Sequence, residues 1–278
     1  MFSIEELGIN EVKAALTFLE REPVRNLRII WALRRWGLFN LGLPEQGRCL
    51  ASGDSGRIKG LLFINNQGLW RWSADRDTSL RLIESAVNVW GEPEALAGPE
   101  DEVEAVLEYL GALPGCIEHA EREISLILVA GNFSPVSGRA RKAGEDDLPD
   151  LVKLEKGLQE ELLGCRSAEW VIRSHMRRTI EDDASSLVRW NGKAVAKAAM
   201  EAQTPGADEL GGVYTLPGYR RRGFASSACS LLCRLSLSEG KKIRLETQRD
   251  NAAALDFYRR LGFHELFNHL FIRLRSRQ

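Results

Sequence analysis

Leu210-Gly-Gly-Val-Tyr-Thr-Leu-Pro-Gly-Tyr-Arg-Arg-Arg-Gly-Phe-Ala-Ser-Ser-Ala-Cys-Ser-Leu-Leu-Cys-Arg-Leu235 is the stretch whose reading decides the fold. It opens as a strand, because Val213, Tyr214 and Thr215 are all β-formers. Pro217 and Gly218 end that strand and turn the chain. Arg220, Arg221, Arg222 and Gly223 follow, and then a helical run. Its first turns are small (Ala225, Ser226, Ser227, Ala228), and Leu231, Leu232, Leu235 and Leu237 form an apolar face. The first amides of a helix lack partners within it and carry partial positive charge. Gly223, with no Cβ, lets a ligand approach the backbone, and arginines add forked donors suited to phosphate. Alone, Arg220 to Arg222 also read as a solvated basic turn. In the order strand, turn, basic loop and helix, they read as a pyrophosphate cradle.

Arg220-x-x-Gly223-x-Ala225 resembles the acyl-CoA signature of the GNAT superfamily of N-acetyltransferases, Arg/Gln-x-x-Gly-x-Gly/Ala. Val213-Tyr-Thr-Leu-Pro217 looks like that family's central strand. Ile243-Arg-Leu-Glu-Thr-Gln-Arg-Asp-Asn-Ala-Ala-Ala-Leu-Asp-Phe-Tyr-Arg-Arg-Leu-Gly-Phe263 is similar to its next strand and helix, where the family often carries an Asn and then a Tyr. The resemblance covers roughly 140–275. It implies acetyl-CoA as cosubstrate, an amine acceptor and no metal. It also implies that the backbone of Val213, Tyr214 and Thr215 meets the pantetheine arm. Arg220, Arg221, Arg222, Gly223, Phe224, Ala225 and Ser226 would then hold the diphosphate, with Asn251 at the arm or the reaction centre.

Acetyl transfer from a thioester to an amine needs a polarised carbonyl, a base for the amine and an acid for the leaving thiolate. Strand-like addition of the arm to an open edge meets the first need. The resemblance implies a bulge that opens this edge. Gly211 and Gly212 would ease it, although they also read as a plain turn. Tyr258 lies seven residues beyond Asn251, about two helical turns. It reads as a core tyrosine beside Phe257 or, with the resemblance, as the acid. Asn251 caps its helix in either case. Glu201 and Glu246 are both placed to take a proton; Glu201, beside the central strand, is the candidate base.

Formal net charge is −1 and charged residues make up 28% of the chain, which excludes a global pull toward nucleic acid or membrane. One arginine cluster without a wide basic face or an aromatic platform does not make a nucleic-acid site. No apolar run approaches the ~20 residues that span a bilayer, and the early acids of Met1-Phe-Ser-Ile-Glu-Glu-Leu7 argue against a signal peptide. The five cysteines (Cys49, Cys116, Cys165, Cys229, Cys233) are scattered and odd in number, so no disulfide framework is expected and the cytoplasm is the expected compartment. Cys229 and Cys233 share a helix face without zinc-spaced partners and read as core thiols. The four histidines form no motif. Homo-oligomerisation is left open.

At 278 residues the chain has room for two domains. Helices are expected over 9–20, 27–36 (capped by Asn26), 79–90 and 100–109. Strands are expected over 47–52, 57–64, 69–73, 94–98 and 117–130, with a turn at 53–56. Gly131-Asn-Phe-Ser-Pro-Val-Ser-Gly138 is the linker candidate. Beyond it come a strand at 140–144, helices over 147–163 and 168–180, and a hairpin about Asn191-Gly192, which suits a primed turn. The central strand and loop, a strand at 242–247, a helix at 252–261 and strands within 264–274 complete the chain.

The halves repeat in element order. Arg57-Ile-Lys-Gly-Leu-Leu-Phe63 parallels Gly192-Lys-Ala-Val-Ala-Lys-Ala198, and Glu104-Ala-Val-Leu-Glu-Tyr-Leu-Gly111 parallels Leu255-Asp-Phe-Tyr-Arg-Arg-Leu-Gly262. The expected fold is α/β (α+β): two tandem GNAT-like domains, 1–131 and 139–278, each a mixed, mostly antiparallel sheet flanked by helices. Where the second half has its basic loop, the first has Ala74-Asp-Arg-Asp-Thr-Ser79, and Leu107 stands opposite Tyr258. Its two acids repel phosphate, so the first half is expected to be non-catalytic. The leading expectation is an acetyl-CoA-dependent N-acetyltransferase; the alternative is a non-catalytic acyl-CoA-binding sensor or partner-binding module.

Overall fold

The computed structural model describes residues 3–54, 57–112, 114–164 and 167–275. Its contacts divide the chain into two units. The first takes the chain through Ser125, Glu246–Asp250 and everything from Leu266 onward; the second takes Leu126–Leu245 and Asn251–Glu265. The expected halves differ from these units chiefly in the C-terminal strand, which packs with the first.

In the first unit, strands β1 (Ser3–Glu6), β2 (Gly47–Asp54), β3 (Arg57–Asn65), β4 (Leu69–Ser73) and β5 (Ala95–Pro99) lie in that order. Helices α1 (Val12–Leu19) and α2 (Leu27–Trp36) precede β2. β4 crosses to β5 through α3 (Arg76–Trp90), and these two strands are parallel, whereas β1 to β4 pair antiparallel. Then α4 (Glu100–Tyr109) and β6 (Ile117–Leu128) follow. The core is Leu62, Trp70, Trp72, Leu82, Ile83, Leu96 and Val103, closed by Leu270 and Ile272. Each such side chain contributes about 1.5–3 kcal/mol by leaving water. Asn26 precedes α2 but does not cap it with its side chain; its amide donates to the Leu19 carbonyl at 2.9 Å instead. The expected turn at 53–56 falls partly on Ser55 and Gly56, outside the described residues, as does Cys165.

The second unit opens with β7 (Ala140–Lys142), α5 (Leu148–Leu163) and α6 (Glu169–Glu181). Then come β8 (Ser185–Trp190), β9 (Lys193–Gln203), β10 (Ala207–Thr215), α7 (Phe224–Ser238), β11 (Lys242–Gln248) and α8 (Ala252–Leu261), and the chain ends with β12 (His264–Leu274), which from Leu266 belongs to the first unit. The second unit's strand order is β11-β10-β9-β8-β7, with only β10 and β11 parallel. Asn191 and Gly192 take the left-handed φ of +48° and +77° that a primed hairpin turn requires. The series β2-β3-β4-α3-β5-α4 and β8-β9-β10-α7-β11-α8 follow one plan, as the repeat requires. The closing strands expected within 264–274 are one strand, β12; that stretch holds no glycine or proline to turn it.

Asp147 anchors the start of α5. Its buried carboxylate accepts from Arg141 (2.6 and 2.8 Å), Arg189 (2.9 Å) and the Gly144 amide (3.0 Å). The Arg141 hydrogen bond, above all, holds its pKa well below the usual carboxylate range. Small residues let α7 lie close to its neighbours: the Ser227 and Ser230 hydroxyls accept from the Ala140 and Val136 amides at 3.0 and 2.9 Å.

Candidate active site

β10 is the hinge of the site. It pairs with β11 over Ala207↔Lys242, Asp208↔Ile243 and Glu209↔Arg244. The last rung carries a buried Arg244–Glu209 ion pair at 2.6 Å. Beyond it, no further β10–β11 pair forms among the described residues. On its other side β10 follows β9 with two slips. Leu210 faces Met200 directly after Glu209 faces Ala202, so Glu201 is the extra residue of a bulge in β9. Gly211 then faces Ala199 and Tyr214 faces Lys197, which leaves an extra residue at Gly212–Val213 in β10. Bulges turn strands away from regular pairing, and here two of them flank the opened edge. The Leu216 amide donates to Val195 of β9 at 2.9 Å. Backbone groups alternate sides along a strand, so Thr215 and Val213 face the open edge. The Thr215 hydroxyl is buried there without a partner among the described residues, which fits an arm added along this edge.

A side chain at Gly212 would be strained and crowded. Its φ is +56°, and a Cβ would lie 2.8 Å from Glu201 Oε1 and 2.9 Å from Lys197 Nζ. Gly211 is filled in the same way by the Glu201 side chain, 2.6 Å from its ideal Cβ. The two glycines are therefore the floor of the bulge rather than a plain turn.

The loop after β10 has two left-handed residues, Arg221 (φ +60°) and Gly223 (φ +77°). Among the described residues nothing accepts from the amides of Arg221 to Ser226; the first bond of α7 is Ser227 N–H to the Gly223 carbonyl, 3.0 Å. No side chain caps this helix. A Cβ on Gly223 would meet nothing within 4 Å, so the space beside Gly223 is open, and unpaired amides in a turn of this kind suit an anion. Of the three arginines, Arg220 is already engaged. It pairs with Glu161 of α5, and its Nε donates to the Thr215 carbonyl at 3.1 Å. Arg221 is exposed, and Arg222 lies 5.7 Å over the Tyr219 ring. Tyr214 turns its phenol against Gly157 of α5, and Phe224 packs on Trp190 at 5.5 Å. Both position the loop through packing.

Glu201 has a neighbour that sequence reading missed. His175 Nε2 of α6 lies 3.1 Å from Glu201 Oε2. Arg178, which can only donate, faces His175 Nδ1 at 2.9 Å. Nδ1 must therefore accept, and Nε2–H donates to Glu201. Lys197 was missed as well. Only 1% exposed, its ammonium lies 2.8 Å from Glu155 of α5 and donates to the Gly212 carbonyl at 2.7 Å. Its signal was a lone lysine inside the apolar run Ala194-Val-Ala-Lys-Ala-Ala-Met200.

Tyr258 lies on α8, partly buried between the Phe257 and Phe263 rings at 4.9 and 5.7 Å. Burial raises its pKa, and the neighbouring Cys229 and Cys233 add to the rise. Both thiols are core residues; burial pushes Cys233 up to about 12. Asn251 caps α8, accepting from the Ala254 amide at 3.0 Å. Glu246 belongs instead to a group in the first unit: His269 Nδ1 lies 3.3 Å from Glu123, and Nε2 3.6 Å from Glu246. One ring nitrogen faces each carboxylate, so the imidazole bridges two acids.

The matching position in the first unit is closed. Asp75 caps α3, accepting from the Thr78 amide at 3.0 Å and the Thr78 hydroxyl at 2.8 Å. Those bonds lower its pKa, the amide bond most. A resident carboxylate sits where α7 leaves its amides bare.

Residues 151–263 match the model of the acetyltransferase (GNAT) family. No curated protein sequence matches the chain. Among solved structures it is similar to an acetyltransferase from the GNAT family from Colwellia psychrerythraea, at 15% identity and a TM-score of 0.63 over 98% of this chain and 100% of that one. It is similar to a GCN5-related N-acetyltransferase from Sphaerobacter thermophilus, at 14% identity and a TM-score of 0.65 over 98% and 95%. A tandem GNAT protein from the clavulanic acid biosynthesis pathway matches over 100% of both chains, at 13% identity and a TM-score of 0.60. At such identities the likeness is one of fold. No described helix is long and apolar enough to cross a membrane. The chain thus has the fold of two tandem GNAT-like domains, and its segment 151–263, with the bulged strand and bare helix start, is the part that matches the acetyltransferase (GNAT) family model.

Proposed function

We propose that the second unit is an acetyl-CoA-dependent N-acetyltransferase acting on a primary amine of a small molecule, peptide or protein. The observation that carries this reading is the uncapped start of α7, with Arg221 and Gly223 left-handed, at the end of a strand whose edge is open. Acetyl-CoA would supply an activated acyl group. The amides of Arg221 to Ser226 and the Arg221 and Arg222 side chains bind its diphosphate. Val213 and Thr215 pair with its arm as an added strand, and Asn251 holds the start of α8 beside it. Glu201, oriented by His175, takes the proton of the amine as the nitrogen–carbon bond forms. Tyr258 gives its proton to the departing sulfur as the carbon–sulfur bond breaks. The raised pKa of Tyr258 suits an acid that must stay protonated. The first unit is non-catalytic, because Asp75 holds the helix start that phosphate would need. The free thiols of Cys49, Cys116, Cys229 and Cys233 fit a reducing, cytoplasmic setting.

Calorimetry of the intact chain with CoA and acetyl-CoA tests the binding, and thiol release with a panel of amines tests the transfer. Uptake followed by amine-dependent thiol release is expected. Absence of uptake would sink the reading. Uptake without thiol release for any primary amine would leave a binding module instead.

A further inference from the structure

A buried lysine under the bulge does more than fill the core. Lys197 is among the largest fully buried side chains of the protein. Burying an ammonium is costly unless it is paired and hydrogen-bonded. Here Glu155 balances its charge at 2.8 Å, and the Gly212 carbonyl takes one of its protons at 2.7 Å. That carbonyl belongs to the peptide joining Gly212 to Val213. In a trans peptide the C=O and the N–H point in opposite directions. The Gly212 carbonyl turns toward Lys197 Nζ, so the Val213 N–H turns away from that ammonium. The alternation set by the Leu216–Val195 bond places this N–H on the open edge of β10. A cation on the carbonyl end of a peptide also polarises its N–H end, as chained hydrogen bonds strengthen one another.

We propose that Lys197 is a positioning residue for acyl transfer: by holding the Gly212 carbonyl it aims and strengthens the Val213 N–H as the donor to the acyl carbonyl. This rests on the acyl-CoA reading above. Glu155 is the counter-charge that lets the ammonium stay buried, and Gly212 must lack a Cβ because Nζ stands 2.9 Å from where one would be.

The test compares the native chain with K197M/E155L, in which both buried charges are replaced by apolar groups of similar size and no charge is left unpaired. Isotope-edited infrared spectra of bound [1-13C]acetyl-CoA, without an acceptor, read the carbonyl directly. The native chain should move the thioester stretch to lower frequency, and the double variant should return it toward the free value. Both should take up CoA equally in calorimetry. In turnover, kcat should fall about 10²-fold, the scale of one lost oxyanion donor, with KM for acetyl-CoA unchanged. A folded double variant with the native stretch and kcat overturns the proposal and leaves the acyl-CoA reading intact. No uptake by the native chain would instead remove the reading on which it rests. The native chain alone gives a check independent of how the variant folds: the Val213 amide proton should move downfield with acetyl-CoA but not with CoA. An unmoved resonance overturns the role of Lys197.

Discussion

Arg221 holds a left-handed conformation, φ +60°, that glycine would adopt freely. That conformation costs a non-glycine residue roughly 1–2 kcal/mol, and Arg221 is exposed, so no packing repays the cost. On the proposed reading, the guanidinium is kept here for the diphosphate. Two substitutions separate the charge from the backbone. Arg221→Ala removes the guanidinium and keeps the strain; Arg221→Gly removes both. Glycine recovers most of the strain but adds about 0.5–1 kcal/mol of unfolded-chain entropy. Arg221→Gly should therefore melt within a few degrees of the native protein, and at or slightly above Arg221→Ala. Affinity behaves differently. A charged hydrogen bond contributes about 1.5–3 kcal/mol, and exposure places this one at the low end. Both variants should bind CoA roughly tenfold more weakly at low salt. The gap should narrow to about threefold near 1 M salt, where the Debye length is about 3 Å. Calorimetry across a salt series measures this directly. S-acetylpantetheine, which lacks the diphosphate, should serve native and variant chains equally as a donor. Native affinity in both variants at low salt would refute the phosphate-cradle argument at its centre.

Gly157→Ala gains about 1 kcal/mol of helix propensity, but its Cβ would stand 2.8 Å from the Tyr214 hydroxyl and 3.0 Å from its ring. Overpacking costs about 1–3 kcal/mol, so Tm should fall by about 2–4 °C; a rise would mean that Tyr214 is not pinned. Asp147 has a depressed folded pKa. Its contribution is therefore complete above the unfolded value near ~3.9 and fades as pH falls through the folded one. Asp147→Asn should lose about 1–2 kcal/mol at neutral pH, discounted for the half-exposed arginines, and flatten the acid limb of urea midpoints measured against pH. An unchanged limb would place the acid sensitivity elsewhere. Tyr258→Phe should lower kcat about 10²-fold. Because burial raises the phenol's pKa, the native kcat profile should show no loss from its ionisation up to about pH 10. Full activity in the variant, with chemistry limiting, would remove Tyr258 from the mechanism.

The acyltransferase half was legible because its signals are local. A proline turn, an Arg-x-x-Gly-x-Ala loop and small residues opening a helix all act within about twenty residues of chain, the range over which backbone conformation and helix-end electrostatics operate. The repeat was legible for the same reason, since element order follows from periodicity. His175 and Lys197 were not. Nothing within its helix marks His175, and Lys197 shows in its strand only as a lone lysine in an apolar run; their partners Glu201, Glu155 and Gly212 are 26, 42 and 15 residues away. Whether Arg220 faces a phosphate or Glu161 was equally beyond periodicity, because Glu161 comes from a different element.

By itself, then, the sequence determined the tandem plan, the strand-to-helix loop and the uncapped start of α7. Only the tertiary structure decided which arginine the protein already holds, which carboxylate has a histidine beside it, and why Gly212 stands over a buried ammonium. Local rules set conformation, whereas the charge environment of a group depends on what distant segments bring within a few ångströms of it.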